Sequence, residues 1–159
     1  MAMERTDQPA RPDRHGRAGA TPADLARRRL VVIPDLARLT LFAGCSRASL
    51  ARVRSLLTPI LLPAGEVLLA RGAPPREFAV IADGEVSVAD ATGQELAVLG
   101  PGAIVGELGL LRDQPADATV MTLTPVVAYV GNRREFVAML EASADVERRV
   151  LHVALARAA

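Results

Sequence analysis

Apolar residues in the first third of the chain recur with the spacing of α-helices. The strongest helical stretch follows Ser46, a good N-cap residue. Its apolar positions fall at i, i+3 and i+7, on one face of the helix: Leu50, Val53 and Leu57. Shorter helices are predicted from Ala23 onward and over residues 35–41, so that residues 23–57 form an N-terminal helical part.

Between residues 58 and 131 the pattern changes to short apolar runs separated by glycines. Runs of strand length cover residues 60–62, 67–70, 78–82, 86–89, 95–99, 118–123 and 126–130. Many short strands with turn residues between them indicate a β-sandwich or barrel. Two of the turns, Asp83-Gly84 and residues 91–93, predict β-hairpins.

Helical spacing returns over residues 132–159. Asn132 is a good N-cap for a helix whose apolar face contains Phe136 and Met139. A last helix is predicted from Ser143. Its apolar arc is wide and comprises Val146, Val150, Val153, Leu151 and Leu155. A wide arc favours a homodimer through residues 143–158; the alternative is that this helix packs only onto its own barrel. Residues 23–159 are thus predicted to form one domain.

The charge of the chain is unevenly distributed. All 19 basic residues are arginine, and the formal net charge is +1. Residues 1–29 contain seven Arg and four acids, whereas residues 30–159 contain 12 Arg and 14 acids. Residues 1–22, rich in proline and without periodicity, are predicted to be a disordered tail. The mildly acidic remainder argues against direct binding of DNA.

The sequence lacks the residues that several classes of function need. One cysteine and two histidines provide neither a disulfide nor a His/Cys metal site. The same scarcity argues against a Ser-His-Asp or Cys-His catalytic set. No apolar stretch is long enough to span a bilayer, and no secretory signal is recognisable. We therefore expect a cytoplasmic protein that is not an enzyme and has no catalytic residues, no metal, no cofactor and no membrane partner.

Residues 105–119 interrupt the β pattern. Gly106, followed by Glu107 and an apolar turn, predicts a short helix inserted between two strands. The first N–H groups of a helix are free to bind an anion. The simpler alternative is that this turn only joins two strands and that Glu107 is favoured there by the helix dipole.

The segment resembles the phosphate-binding cassette of cyclic-nucleotide-binding domains, found in bacterial catabolite activator proteins and regulatory subunits of protein kinase A. The family pattern Phe-Gly-Glu-Leu-Ala-Leu-Leu corresponds to Val105–Leu111, and its Pro-Arg-Ser-Ala-Thr-Val to Pro115–Val120. Flanking residues agree, among them Gly84-Glu85-Val86 and Arg134-Glu135-Phe136. The resemblance covers residues 35–158. It implies a mainly β fold with flanking helices, namely a β jelly-roll barrel with N-terminal helices and two C-terminal helices.

The resemblance also implies roles for individual residues. Glu107 would accept the ribose 2′-hydroxyl, and Gly106 with the following N–H groups would approach the cyclic phosphate. Thr119 would hydrogen-bond near the phosphate or base. The candidate ligand-binding residues are Gly106, Glu107, Leu108, Ala116, Asp117, Ala118 and Thr119, and the candidate residues lining the base pocket are Val86, Leu96 and Ile104. For these last three the alternative is a place in the core.

The chain departs from the family pattern at the phosphate. The arginine that pairs with the phosphate is replaced by Ala116, and the next residue is Asp117. Losing a charge-assisted bond costs about 2–3 kcal/mol, and a nearby carboxylate adds ~1–3 kcal/mol of repulsion. Affinity should fall by roughly 10²–10⁴-fold.

Two hypotheses about function follow. The first is a non-catalytic regulatory or sensor domain that binds cAMP or cGMP weakly or through altered contacts. The second is a degenerate relative that serves as a protein-interaction or dimerisation module without nucleotide. In both, an unidentified protein partner or a second copy would receive the response, because no helix-turn-helix module follows the barrel.

Overall fold

The computed structural model describes residues 32–159; the predicted tail 1–22 and the predicted helix from Ala23 lie outside these residues. The described part contains eight β-strands and four α-helices. The strands are β1 (Thr58–Leu62), β2 (Val67–Leu69), β3 (Glu77–Asp83), β4 (Val86–Ala89), β5 (Glu95–Leu99), β6 (Ile104–Val105), β7 (Thr119–Thr122) and β8 (Val126–Asn132). The helices are α1 (Arg47–Leu56), α2 (Glu107–Arg112), α3 (Arg133–Ala142) and α4 (Ala144–Ala158).

The strands form two four-stranded antiparallel sheets. An inner sheet has the order β1-β8-β3-β6, and an outer sheet has the order β2-β7-β4-β5. One apolar core lies between the two sheets, and a second lies between the inner sheet and helices α1, α3 and α4. The inner sheet is therefore the middle layer of three. The predicted class, mainly β with flanking helices, is confirmed.

The inner sheet is covered on both faces, which explains the uninterrupted apolar runs of its strands. On β3, Phe78 and Val80 face the helices, whereas Ala79 and Ile81 face the outer sheet. Successive side chains of a strand point to opposite faces, so a strand between two layers needs apolar residues at every position. The outer sheet has only one covered face: Val88 is packed inward, whereas Val98 on β5 is half exposed.

The helix starts follow from side-chain caps that the sequence contains. The Ser46 hydroxyl accepts a hydrogen bond from the Ser49 N–H, and Asn132 forms a capping box with Glu135. The predicted helix over residues 35–41 is instead two 3-10 turns, Leu36–Arg38 and Thr40–Phe42. The first turn is held by the Asp35 carboxylate, which accepts from the Ala37 N–H. None of the helices within residues 32–159 is long and apolar enough to cross a membrane.

One of the two predicted hairpins is wrong. The turn at residues 91–93 does join the antiparallel neighbours β4 and β5. In contrast, Asp83-Gly84 connects β3 of the inner sheet to β4 of the outer sheet. Gly84 lies against the chain before β8, where a Cβ would be 2.2 Å from the Pro125 carbonyl oxygen. This close packing and a φ of +85° together explain the glycine. The short strand β6 was not predicted at all.

Candidate functional site

A cavity of about 270 Å³ opens between the outer sheet, the start of α2 and the end of α4. Its wall is mostly apolar and includes side chains from both sheets: Leu69, Val88, Leu99, Val105 and Val120. Four charged residues also line it: Glu77, Glu107, Asp117 and Arg157. Apolar walls with a few convergent polar groups are typical of small-molecule binding sites.

Gly106 lets helix α2 begin directly against strand β3. Its φ is +86°, in the left-handed region, and a Cβ there would lie 2.7 Å from the Glu77 carbonyl oxygen. Any other residue would clash with that backbone and would also be strained. The glycine thereby places Glu107, the next residue, at the inner end of the cavity.

Backbone hydrogen bonds hold the opposite wall of the cavity. The Gly72 N–H donates to the Ala116 carbonyl at 2.7 Å, and the Ala116 N–H donates to the Ala73 carbonyl at 3.0 Å. Arg133 secures the far end of α2 by donating to the Leu110 carbonyl and to the Asp113 carboxylate. The segment containing Ala116 and Asp117 is therefore anchored at the cavity wall.

Glu107 is a buried carboxylate, 1% exposed, and forms an ion pair with Arg157 from the last turn of α4. Arg157 Nη1 lies 2.5 Å from Glu107 Oε1 and 2.6 Å from the Ile104 carbonyl oxygen. Burial raises the pKa of Glu107 above its usual value, although the Arg157 guanidinium opposes the shift. The charge of Asp117 adds to the rise in pKa.

Asp117 differs from Glu107 because no counter-charge pairs with it among the described residues. Within residues 32–159, no side chain forms a hydrogen bond or an ion pair with its carboxylate. The residue is exposed and lines the cavity. The site thus combines a buried, paired acid with a second acid that is accessible to a ligand.

The family model of the cyclic nucleotide-binding domain matches residues 59–143. The chain belongs to the cyclic nucleotide-binding domain family. The predicted resemblance to this family is confirmed, and the cavity described above contains most residues of its phosphate-binding cassette.

Similar proteins carry this domain as part of longer chains. Acetyltransferase Pat of Mycolicibacterium smegmatis is 36% identical over 119 residues, which cover 73% of this chain and 36% of that protein. A cAMP-binding acyltransferase from Mycobacterium smegmatis superimposes with a TM-score of 0.59 and 37% identity, covering 72% of this chain and 36% of the other. The regulatory subunit of a cAMP-independent protein kinase A from Trypanosoma brucei has a TM-score of 0.66 and 27% identity, covering 78% of this chain and 46% of the other.

The prediction that the protein is not an enzyme is wrong. It was based on the lack of a catalytic set, but the chain is similar to an acetyltransferase, of which it spans only 36%. Residues that belong to the cyclic nucleotide-binding domain alone cannot exclude an enzyme.

The structure brings six of the seven predicted ligand-binding residues to the cavity wall: Gly106, Glu107, Leu108, Ala116, Asp117 and Ala118. Thr119 is not among the lining residues. Its Oγ1 instead accepts a hydrogen bond from the Arg71 N–H at 3.1 Å. On β7 it is the neighbouring Val120 that points inward and lines the cavity, because side chains alternate along a strand.

Of the predicted base-pocket residues, only Leu96 lines the cavity. Val86 is fully buried in the core between the sheets, and Val88, two residues further along the same face of β4, lines the cavity. Ile104 faces the helices, whereas the next residue, Val105, faces the cavity. Of this alternating pair on β6, the structure places Val105 rather than the predicted Ile104 at the cavity wall.

Sequence reasoning missed two arginines that shape the site. Arg157 lies 50 residues after Glu107, and nothing in its local pattern distinguishes it from the other arginines of α4. Arg133 could have been noticed in the sequence, because it lies between the N-cap Asn132 and the Arg134-Glu135-Phe136 motif. Three other arginines of the described residues, Arg71, Arg76 and Arg112, do not line the cavity.

Proposed function

We propose that this chain is a regulatory domain that binds a small ligand in the cavity at Glu107 and binds cAMP and cGMP only weakly. One observation carries the proposal. The cavity contains the Glu107 expected for a ribose hydroxyl, but Ala116 and Asp117 line it where the resemblance places the phosphate and its arginine.

Arg157, whose guanidinium lines the cavity, does not replace the arginine that the family pattern places beside the phosphate. Arg157 Nη1 is engaged by Glu107 and by the Ile104 carbonyl. Among the described residues, a cyclic phosphate would therefore meet Asp117 without an uncommitted cation beside it. Losing a charge-assisted contact and adding a repulsive carboxylate together correspond to a loss of affinity of roughly 10²–10⁴-fold.

The relatives show that one fold accommodates different responses to cAMP. The Mycobacterium smegmatis acyltransferase is described as cAMP-binding, and the Trypanosoma brucei kinase as cAMP-independent. We therefore base the expected affinity for cAMP on Ala116 and Asp117 and not on membership of the family.

The output of this domain is proposed to pass through α4. This helix carries Arg157 into the cavity and exposes Leu151 and Leu155 on its other side, 40% and 73% exposed respectively. A partner protein or a second copy that binds this apolar strip would sense any ligand that moves Arg157. The same strip supports the second candidate function, a dimerisation module without nucleotide.

The proposal is tested by calorimetric titration of cAMP into the wild-type protein and into a double variant, Ala116→Arg with Asp117→Ser. We expect little or no heat from the wild type below 1 mM ligand and a gain of at least about tenfold in affinity in the variant. The backbone hydrogen bonds of Ala116 fix where the new side chain starts.

A matched control places the same new arginine elsewhere. Ala51 is exposed on α1, on the side of the inner sheet away from the cavity, so Ala51→Arg should not alter binding of cAMP. A micromolar isotherm with the wild type would contradict weak binding. No gain in the double variant would contradict a nucleotide-type cavity.

A further inference from the structure

The charge of the cavity is opposite to that needed for an anionic ligand. Within residues 32–159, three carboxylates line it, those of Glu77, Glu107 and Asp117, against the single guanidinium of Arg157. Arg157 is held by Glu107 at 2.5 Å, so these two charges largely offset each other. What remains for a ligand is the negative field of Asp117, reinforced by the exposed Glu77.

The surroundings of Asp117 strengthen this field. Leu69, Val88 and Val120 form part of an apolar wall, which excludes water and lowers the local dielectric. The influence of Asp117 extends across the site, because its charge contributes to the raised pKa of Glu107. A ligand that occupies the cavity therefore lies beside the Asp117 carboxylate, which is exposed at the cavity wall.

The other lining residues and the volume of the cavity indicate the remaining features of the ligand. The apolar surface suits a ring, and the Glu107–Arg157 pair offers an acceptor and donors for hydroxyl groups. The volume of about 270 Å³ is near the lower end of small-molecule sites, which begin at roughly 300 Å³. The ligand is therefore no larger than a nucleoside.

Building on the function proposed above, we propose that the cavity takes a cationic ligand. It is a nucleoside-sized molecule with an apolar ring, hydroxyl groups directed to Glu107 and an ammonium group directed to Asp117. Anionic ligands of the same shape, cyclic nucleotides included, bind more weakly because the carboxylates repel them.

Three ligands that share adenine and ribose but differ in charge test the proposal. They are 5′-amino-5′-deoxyadenosine, which is positively charged at pH 7, adenosine, which is neutral, and cAMP, which is negatively charged. Calorimetric titration of the full chain at low salt should give affinities that fall in this order, by about tenfold or more per unit of charge. The preference for the amine should weaken as salt is added.

Asp117→Asn should reduce the preference for the amine over adenosine to about threefold or less, because the amide has no charge. Asp145 provides the matched control, since it is an exposed carboxylate on α4 that pairs with Arg148. Asp145→Asn makes the same change in net charge and should leave the order and the ratios unchanged.

An amine that binds wild type no more tightly than adenosine overturns the inference, as does a preference that survives Asp117→Asn. If no ligand binds wild type but cAMP binds the Ala116→Arg, Asp117→Ser variant, the cavity is a ligand site as proposed and only the cationic class is wrong. If the double variant also binds none of the three, the proposed function itself fails.

Discussion

Replacing Arg157 by methionine should strongly destabilise the folded chain. Methionine keeps an unbranched apolar stem on α4 but removes the charge opposite Glu107, which is 1% exposed. Removing one partner of a buried ion pair costs roughly 3–5 kcal/mol, since the other charge stays buried without compensation. Arg157 is itself 32% exposed, so solvent screening places the expected loss near the lower end, about 3 kcal/mol.

Thermal unfolding followed by circular dichroism measures this loss. At about 2–4 °C per kcal/mol for a chain of this size, Tm should fall by roughly 6–12 °C. Arg148 is the matched control, because it lies on the same helix in an exposed ion pair with Asp145. Arg148→Met should change the free energy of unfolding by less than about 1 kcal/mol. Adding Glu107→Gln to Arg157→Met should restore much of the loss, because the amide needs no counter-charge.

The pH dependence of stability provides an independent readout of the same pair. Burial raises the pKa of Glu107 above its ordinary 4.5 in the folded state. The folded protein then binds more protons than the unfolded chain, so stability falls as pH rises from about 4.5 through the raised value. Without Arg157 the pKa rises further, and the fall in stability should be larger and extend to higher pH. Glu107→Gln should remove this contribution.

Two results would refute the reasoning. One is an Arg157→Met variant that at pH 7 loses no more stability than Arg148→Met. The other is a pH profile of that variant that is no steeper than the wild-type profile. Either would mean that Glu107 does not depend on Arg157 for its charge.

Two further predictions concern a glycine and the last helix. Gly106→Ala should destabilise the protein by about 1–3 kcal/mol more than Gly93→Ala in chemical denaturation. Both glycines have a positive φ, but only at Gly106 would a Cβ meet backbone, the Glu77 carbonyl oxygen at 2.7 Å. Light scattering at tens of micromolar should give the mass of two chains, and Leu155→Glu, at a position 73% exposed, should give the mass of one.

Each of these has a clear contrary outcome. Equal losses at the two glycines would mean that α2 can shift away from β3 at little cost. A wild-type mass of one chain would remove the dimer and leave α4 packed only on its own domain. The Leu155→Glu variant should keep the wild-type Tm, which separates loss of association from loss of folding.

Features set by neighbouring residues could be predicted from the sequence. Ser46 and Asn132 cap their helices with hydrogen bonds to groups three residues away, so short windows of sequence contain the whole interaction. The apolar runs of the strands were recognisable for the same reason. The motifs Val105–Leu111 and Pro115–Val120 were enough to indicate the family by resemblance.

Which face of a strand is covered depended on tertiary packing. The inner sheet is apolar on both faces, so its sequence alone does not distinguish the helix side from the cavity side. Ile104 was therefore chosen where Val105 lines the cavity. In the same way, Asp83-Gly84 has the local chemistry of a hairpin, and only the packing of Gly84 against Pro125 shows that the chain changes sheets there.

The sequence by itself determined that an acid, Glu107, lies in the cassette and that the arginine of the family pattern is absent. Only the tertiary structure decided what neutralises that acid. Arg157 reaches it from the end of α4, 50 residues further along the chain, and donates to the Ile104 carbonyl with the same nitrogen. A pairing over that separation depends on how α4 packs on the inner sheet, and no local pattern of apolar and polar residues contains that information.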